Sequence, residues 1–116
     1  MKKIVIGTVC LLLVTAFASA SFAHPPEAII YKYYSDTKIL SLGIAHDVKN
    51  PKTHFVKFVS VKLNGKDLVQ QNFLSQTNKD AHAVSYMVVD LKKGDVLDIL
   101  AMCNMSGELK KTIKVE

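Results

Sequence analysis

Histidine and cysteine carry the chemistry available to this chain. Its histidines are His24, His46, His54 and His82, and Cys103 stands in Ala101-Met102-Cys103-Asn104-Met105-Ser106-Gly107. The other cysteine, Cys10, lies in an apolar N-terminal run. If that run is removed as an export signal, Cys103 is a lone thiol with no internal disulfide partner. Three fates remain for it: a buried small hydrophobe, a reactive thiol or a metal ligand. Imidazole and thiolate together suit iron, zinc or copper and do not suit magnesium or calcium. His46 and His54 bracket the loop Asp47-Val48-Lys49-Asn50-Pro51-Lys52-Thr53, and Asn50-Pro51 makes a turn inside it. His46 then ends one strand and His54 begins the next at the same edge. Cys103 ends a later strand and can reach that edge too. His82 follows the polar residues Asn78, Lys79 and Asp80 and reads as a solvated turn histidine. Met102 reads as core, and Met105 is a second soft group beside the thiol.

The elements that must position these residues begin after the N-terminal run. Lys2 and Lys3 precede an apolar stretch from Ile4 to Phe17, followed by Ala18-Ser19-Ala20-Ser21-Phe22-Ala23. A basic start, a short apolar core and small residues before a cut describe a secretory signal. The stretch is shorter than the roughly 20 residues a membrane span needs. Cleavage after Ala23 makes residues 1–23 the signal and His24 the first mature residue, with cleavage after Ala20 as an alternative. The product is then periplasmic or secreted, with no stable membrane anchor. The 116 residues less 23 leave 93, one small domain over residues 24–116. The net charge of +5 falls to +3 when Lys2 and Lys3 leave. All basic residues are lysine, without a cluster or an aromatic stacking series, so nucleic acid is not an expected partner.

Short alternating runs separated by turn signals fill the rest. Strands are expected over Ala28 to Tyr34, Lys38 to Ala45, His54 to Leu63, Asp67 to Phe73, Ala83 to Val89, Val96 to Met102 and Leu109 to Val115. Asn64-Gly65 is a two-residue hairpin signal, because both positions take positive φ. About seven short strands without helical periodicity point to an all-β, antiparallel β-sandwich of immunoglobulin-like type. No Ser-His-Asp order, phosphate loop or paired carboxylate site suggests a different enzyme class.

The chain from His24 to Val115 resembles the iron-binding domain of superoxide reductases, the desulfoferrodoxin and neelaredoxin family. His24-Pro25-Pro26 leading to Ile29 is like the family's His-x-Pro start. His46, a loop and His54-Phe55-Val56-Lys57-Phe58-Val59 are like its paired-histidine segment. Asn64-Gly65 with Phe73 matches its hairpin. Gly94-Asp95-Val96-Leu97 leading to Cys103-Asn104-x-x-Gly107 is like its Cys-Asn-x-His-Gly. The resemblance implies an immunoglobulin-like sandwich holding one iron, cycling between Fe(II) and Fe(III), by four equatorial histidines and an axial thiolate. His24, His46 and His54 fall on three of the histidine positions and Cys103 on the thiolate. Ser106 falls on the fourth histidine, so the implied site has a second open position. The family's lysine before the first histidine is absent when His24 is the N-terminus. The implied activity is reduction of superoxide to peroxide with electrons from an unknown donor.

Two other readings stand beside this one. A mature N-terminal His24 offers its α-amino group and Nδ1 to one ion, which with His46 or His54 suits copper. A metal-free sandwich serving as an interaction or carrier module uses Cys103 for packing or attachment. Self-association is open in all three. Cleavage after Ala23 has a direct check: the intact mass of the exported protein equals that of residues 24–116. A mass retaining residues 1–23 removes the cleavage and with it the N-terminal copper ligand.

Overall fold

The computed structural model describes residues 24–116. The expected signal segment, its expected cleavage point and Cys10 lie outside the described residues. Seven strands follow in order: β1 (Ala28–Tyr34), β2 (Ile39–Ala45), β3 (Val56–Leu63), β4 (Lys66–Asn72), β5 (Ala81–Met87), β6 (Val96–Cys103) and β7 (Glu108–Lys114). They form two antiparallel sheets, β1-β2-β5 and β4-β3-β6-β7, with no helix among the described residues. The expected all-β sandwich is therefore what the chain forms. Period-2 patterning explains the layering. Ile29, Leu40, Leu42 and Ile44 face inward from the first sheet, and Val59, Val61, Leu97, Ile99 and Ala101 meet them from the second. A fully buried Leu or Ile contributes about 1.5–3 kcal/mol. Cys103 is a free thiol, so this packing supplies the stability without a disulfide's help.

Local chemistry sets the turns. Asn64 (φ 50°) and Gly65 (φ 82°) form the expected tight link from β3 to β4. The Asn64 backbone N–H donates to Val96 O at 2.8 Å, tying the hairpin to β6. The Tyr33 hydroxyl donates to Val88 O at 2.6 Å and fastens the end of β5 to β1.

Two features depart from the sequence expectation, and both bear on the functional edge. β3 starts at Val56 instead of His54, and its pairing with β6 slips between Val56 and Phe58. Lys57 is the surplus residue of a β-bulge. The slip changes which parity faces inward, so Val56 and Val59, three apart, are both buried. Simple alternation cannot place both on one face.

β5 starts at Ala81, two residues earlier than expected. The Asn78 Oδ1 accepts from the backbone N–H of Asp80 (2.9 Å) and Ala81 (3.0 Å), and this compact turn ends the loop early. His82 is thereby inside the strand, opposite Ile44, and only 5% exposed. The expectation of a solvated turn histidine is corrected: the polar run is the turn, and His82 lies beyond it. Its ring packs against Phe73 at 4.3 Å between centroids, and Nδ1 accepts from the Thr77 N–H at 3.2 Å.

Burial pushes the His82 pKa below its ordinary 6.5. The unfolded chain takes up this proton as pH falls through 6.5, while the folded chain resists it. Stability present above that value is therefore lost as pH falls toward the depressed folded value. Urea unfolding of metal-free protein between about pH 5 and 7 tests this. His82→Leu is expected to flatten the acid slope, and an unchanged slope contradicts the assignment.

Candidate metal centre

Three histidines converge at one end of the sandwich, each brought there by a different segment. His46 follows β2. Its N–H donates to Asp80 O at 3.0 Å and that of Val48 donates to Lys79 O at 2.8 Å, so the sheet pairing continues past the strand. This buries His46 completely. His54 precedes β3. Its N–H donates to Asn50 O at 2.9 Å, and the Lys52 N–H donates to Asn50 Oδ1 at 3.0 Å. The Asn50-Pro51 turn thus folds the loop back as its sequence suggested. His24 precedes β1, which the Glu27 N–H ties to Ala45 O at 2.8 Å.

The ring centroids lie 5.0 Å apart for His24 and His46, 5.2 Å for His24 and His54, and 4.8 Å for His46 and His54. One ligand nitrogen from each comes within 4.8 Å of the others, so this group can hold a metal ion. His54 supplies the test of fit. Its Nε2 is buried without a hydrogen-bond partner. An orphaned buried nitrogen costs about 1–3 kcal/mol, and a metal bond removes that cost.

Electrostatics favour the neutral ligand form at His54. Burial lowers its pKa first, and the charges of His46 and His24 lower it further. His24 differs. Its pKa is raised, chiefly by the hydrogen bond to Pro25 O at 3.0 Å. Its Nε2 donates to Asp47 O at 2.8 Å. Nδ1, the atom an N-terminal copper chelate uses, is therefore held by Pro25 O. A cleft of about 360 Å³ opens beside His24 and His54, lined also by Asp47, Lys49, Asn50 and Thr53.

Cys103 is the last residue of β6, faces inward opposite Val56 and is 4% exposed. The group of mutually close ligand atoms consists of the three imidazoles and does not include its sulfur. Sγ accepts from the Met105 N–H at 3.4 Å. Ser106 is exposed on the bend after β6, and Met105 is 57% exposed.

The residues after Cys103 hold two of the histidine segments. The Asn104 side chain accepts from the Phe55 N–H (2.9 Å) and donates to Thr53 O (3.0 Å), and its backbone N–H donates to Phe55 O (3.0 Å). These bonds flank His54. Gly107 has φ 75°, and a Cβ there would lie 2.9 Å from Cβ of Pro25, next to His24. Glycine is required both for the conformation and for the contact.

Gln76 was not singled out from the sequence. It lies in the β4–β5 connection and is buried beside His46, with Oε1 accepting from Nδ1 of that ring at 2.8 Å. A lone amide in a polar loop carries no spacing signal, so only the fold could reveal it. No family model and no curated protein matches the chain.

Gly65 has a similar φ to Gly107, with nothing within 4 Å of its Cβ position. Gly65→Ala is expected to cost about 1 kcal/mol for its backbone conformation alone. Gly107→Ala adds the clash with Pro25 and is expected to cost at least about 1 kcal/mol more. Urea midpoints give the comparison, and zinc affinity should fall only in Gly107→Ala. Equal effects of the two variants contradict the role given to Gly107.

Proposed function

We propose that this protein is an exported, mononuclear iron protein of superoxide reductase type, acting in the periplasm or outside the cell. The observation that carries the reading is the convergence of His24, His46 and His54 to within 4.8 Å, with an orphaned nitrogen on His54. Sequence resemblance adds Cys103 as the thiolate ligand and an immunoglobulin-like topology for the sandwich. Imidazole nitrogen and thiolate sulfur suit iron.

A bound iron supplies one-electron chemistry. Conversion of superoxide to hydrogen peroxide takes one electron and two protons, so the reading also requires a one-electron donor protein or small reductant. The chain's own residues provide the surroundings. Burial keeps the His54 imidazole in its neutral form, ready to ligate. The cleft beside His24 and His54 gives a small molecule access, and one acidic and one basic residue, Asp47 and Lys49, stand in its lining. Ser106, in place of a fourth imidazole, leaves the ligand set short and lowers the expected iron affinity.

Loading the exported protein with Fe(II) under anaerobic conditions, followed by oxidation, tests the reading. One iron per chain and a visible thiolate-to-Fe(III) band are expected. Cys103→Ala should abolish the band, and His46→Ala should abolish stoichiometric iron. Stoichiometric copper in protein purified from cells, with no iron band after loading, would overturn the iron assignment.

A further inference from the structure

The Gln76 side chain is 5% exposed and uses its whole amide. Nε2 donates to His46 O at 2.7 Å and to Asn78 O at 3.0 Å. Oε1 accepts from Nδ1 of His46 at 2.8 Å and from the Val56 N–H at 3.2 Å. Three of these four partners are backbone groups whose polarity is fixed. Turning the amide over would set its oxygen against two carbonyls and its NH₂ against the Val56 N–H. The orientation is therefore determined by the backbone, independently of the imidazole.

That orientation favours one state of His46. Oε1 only accepts, so this bond requires the proton on Nδ1. A neutral imidazole has one N–H, which leaves Nε2 with the lone pair. Nε2 lies 3.1 Å from His24 O. His24 O also only accepts, so this part-buried contact competes for the ring proton with the shorter 2.8 Å bond to Gln76, and an ion bound at Nε2 would take its place. The ring thus turns its bare nitrogen toward the segment that carries His24.

We propose that Gln76 is a positioning residue of the metal centre: its buried amide locks His46 in the Nδ1–H form and presents Nε2 to the ion. The inference rests on reading the three histidines as a metal site. Hydrogen bonding from the far ring nitrogen to a carbonyl fixes ring orientation and raises ligand basicity. Gln76 achieves this with a neutral group, so no buried carboxylate has to be desolvated. It also spans segments distant in sequence. His46 follows β2, Val56 begins β3 and Asn78 leads into β5, so one amide sets the ring relative to both sheets.

Two measurements test the proposal. Long-range ¹H–¹⁵N NMR of metal-free protein near about pH 8, where an ordinary imidazole is neutral, reports the tautomer directly. His46 is expected as Nδ1–H, and an Nε2–H ring in the wild-type protein overturns the proposal whatever the metal does. Co(II) titration followed by visible absorption gives the consequence. Gln76→Met, similar in size but without an amide, should weaken Co(II) binding about 10- to 100-fold and release the tautomer. Gln76→Glu keeps an acceptor for Nδ1 but sets its second oxygen against the carbonyls of His46 and Asn78, so it should restore the Nδ1–H tautomer and only part of the affinity, with a shifted Co(II) spectrum. Folded Gln76→Met with wild-type tautomer and affinity refutes the role. If Gln76→Met does not fold, the wild-type tautomer and Gln76→Glu decide. Wild-type protein that takes up neither Co(II) nor Fe(II) defeats the metal reading instead, and the NMR result still judges the amide.

Discussion

Asn104 is bonded three times to the segment that leads into β3, and the functional edge is arranged around that clamp. The Phe55 N–H and C=O and the Thr53 C=O would otherwise be loose polar ends at the mouth of the sandwich. Satisfying them from one asparagine fixes the backbone on both sides of His54. The clamp follows directly on Cys103, which closes the inward row Leu97, Ile99, Ala101 of β6. Three residues further on, Gly107 lets Pro25 approach and so seats the segment carrying His24. A single turn between β6 and β7 therefore governs two histidines that are 30 positions apart in the chain. The third, His46, is held by the other sheet through Asp80.

Packing three imidazoles within about 5 Å sets an electrostatic constraint of its own. Full protonation would bring three like charges together in a partly dehydrated place. The protein divides the roles unequally. At His24, near the surface, the carbonyls of Pro25 and Asp47 favour the protonated form. His54 resists protonation and has a nitrogen without a partner. His46 is buried and meets an amide oxygen at Nδ1. The unpartnered nitrogen of His54 is the one that an ion would satisfy, and His24 would join it only by giving up a carbonyl bond.

The sandwich was legible because apolar alternation, the Asn64-Gly65 turn and the strand spacing all speak of local geometry. The His46–His54 loop was legible for the same reason, since Asn50-Pro51 encodes its own reversal. What escaped was set by longer-range pairing. The bulge at Lys57 depends on how β3 meets β6, so alternation within the segment does not show that Val56 and Val59 are both buried. His82 was misread because the polarity of Asn78, Lys79 and Asp80 was extended to it, whereas the Asn78 turn had already ended the loop. Gln76 acquires its meaning only when Val56, His46 and Asn78 come together around it, and no spacing rule connects those positions.

The bulge at Lys57 divides the chain into lengths that matter and lengths that do not. Between His54 and Val61 every residue is counted, because one fewer would turn the valine row outward or carry the histidine away from its companions. Between His46 and His54 the path is a surface loop closed by its own turn, where extra residues can bulge into solvent at little cost. Natural variants of this architecture should therefore differ in the size of that loop while conserving the frame beyond it. The cleft beside the histidines, lined by that loop, is the part of the molecule most open to being reshaped by insertion.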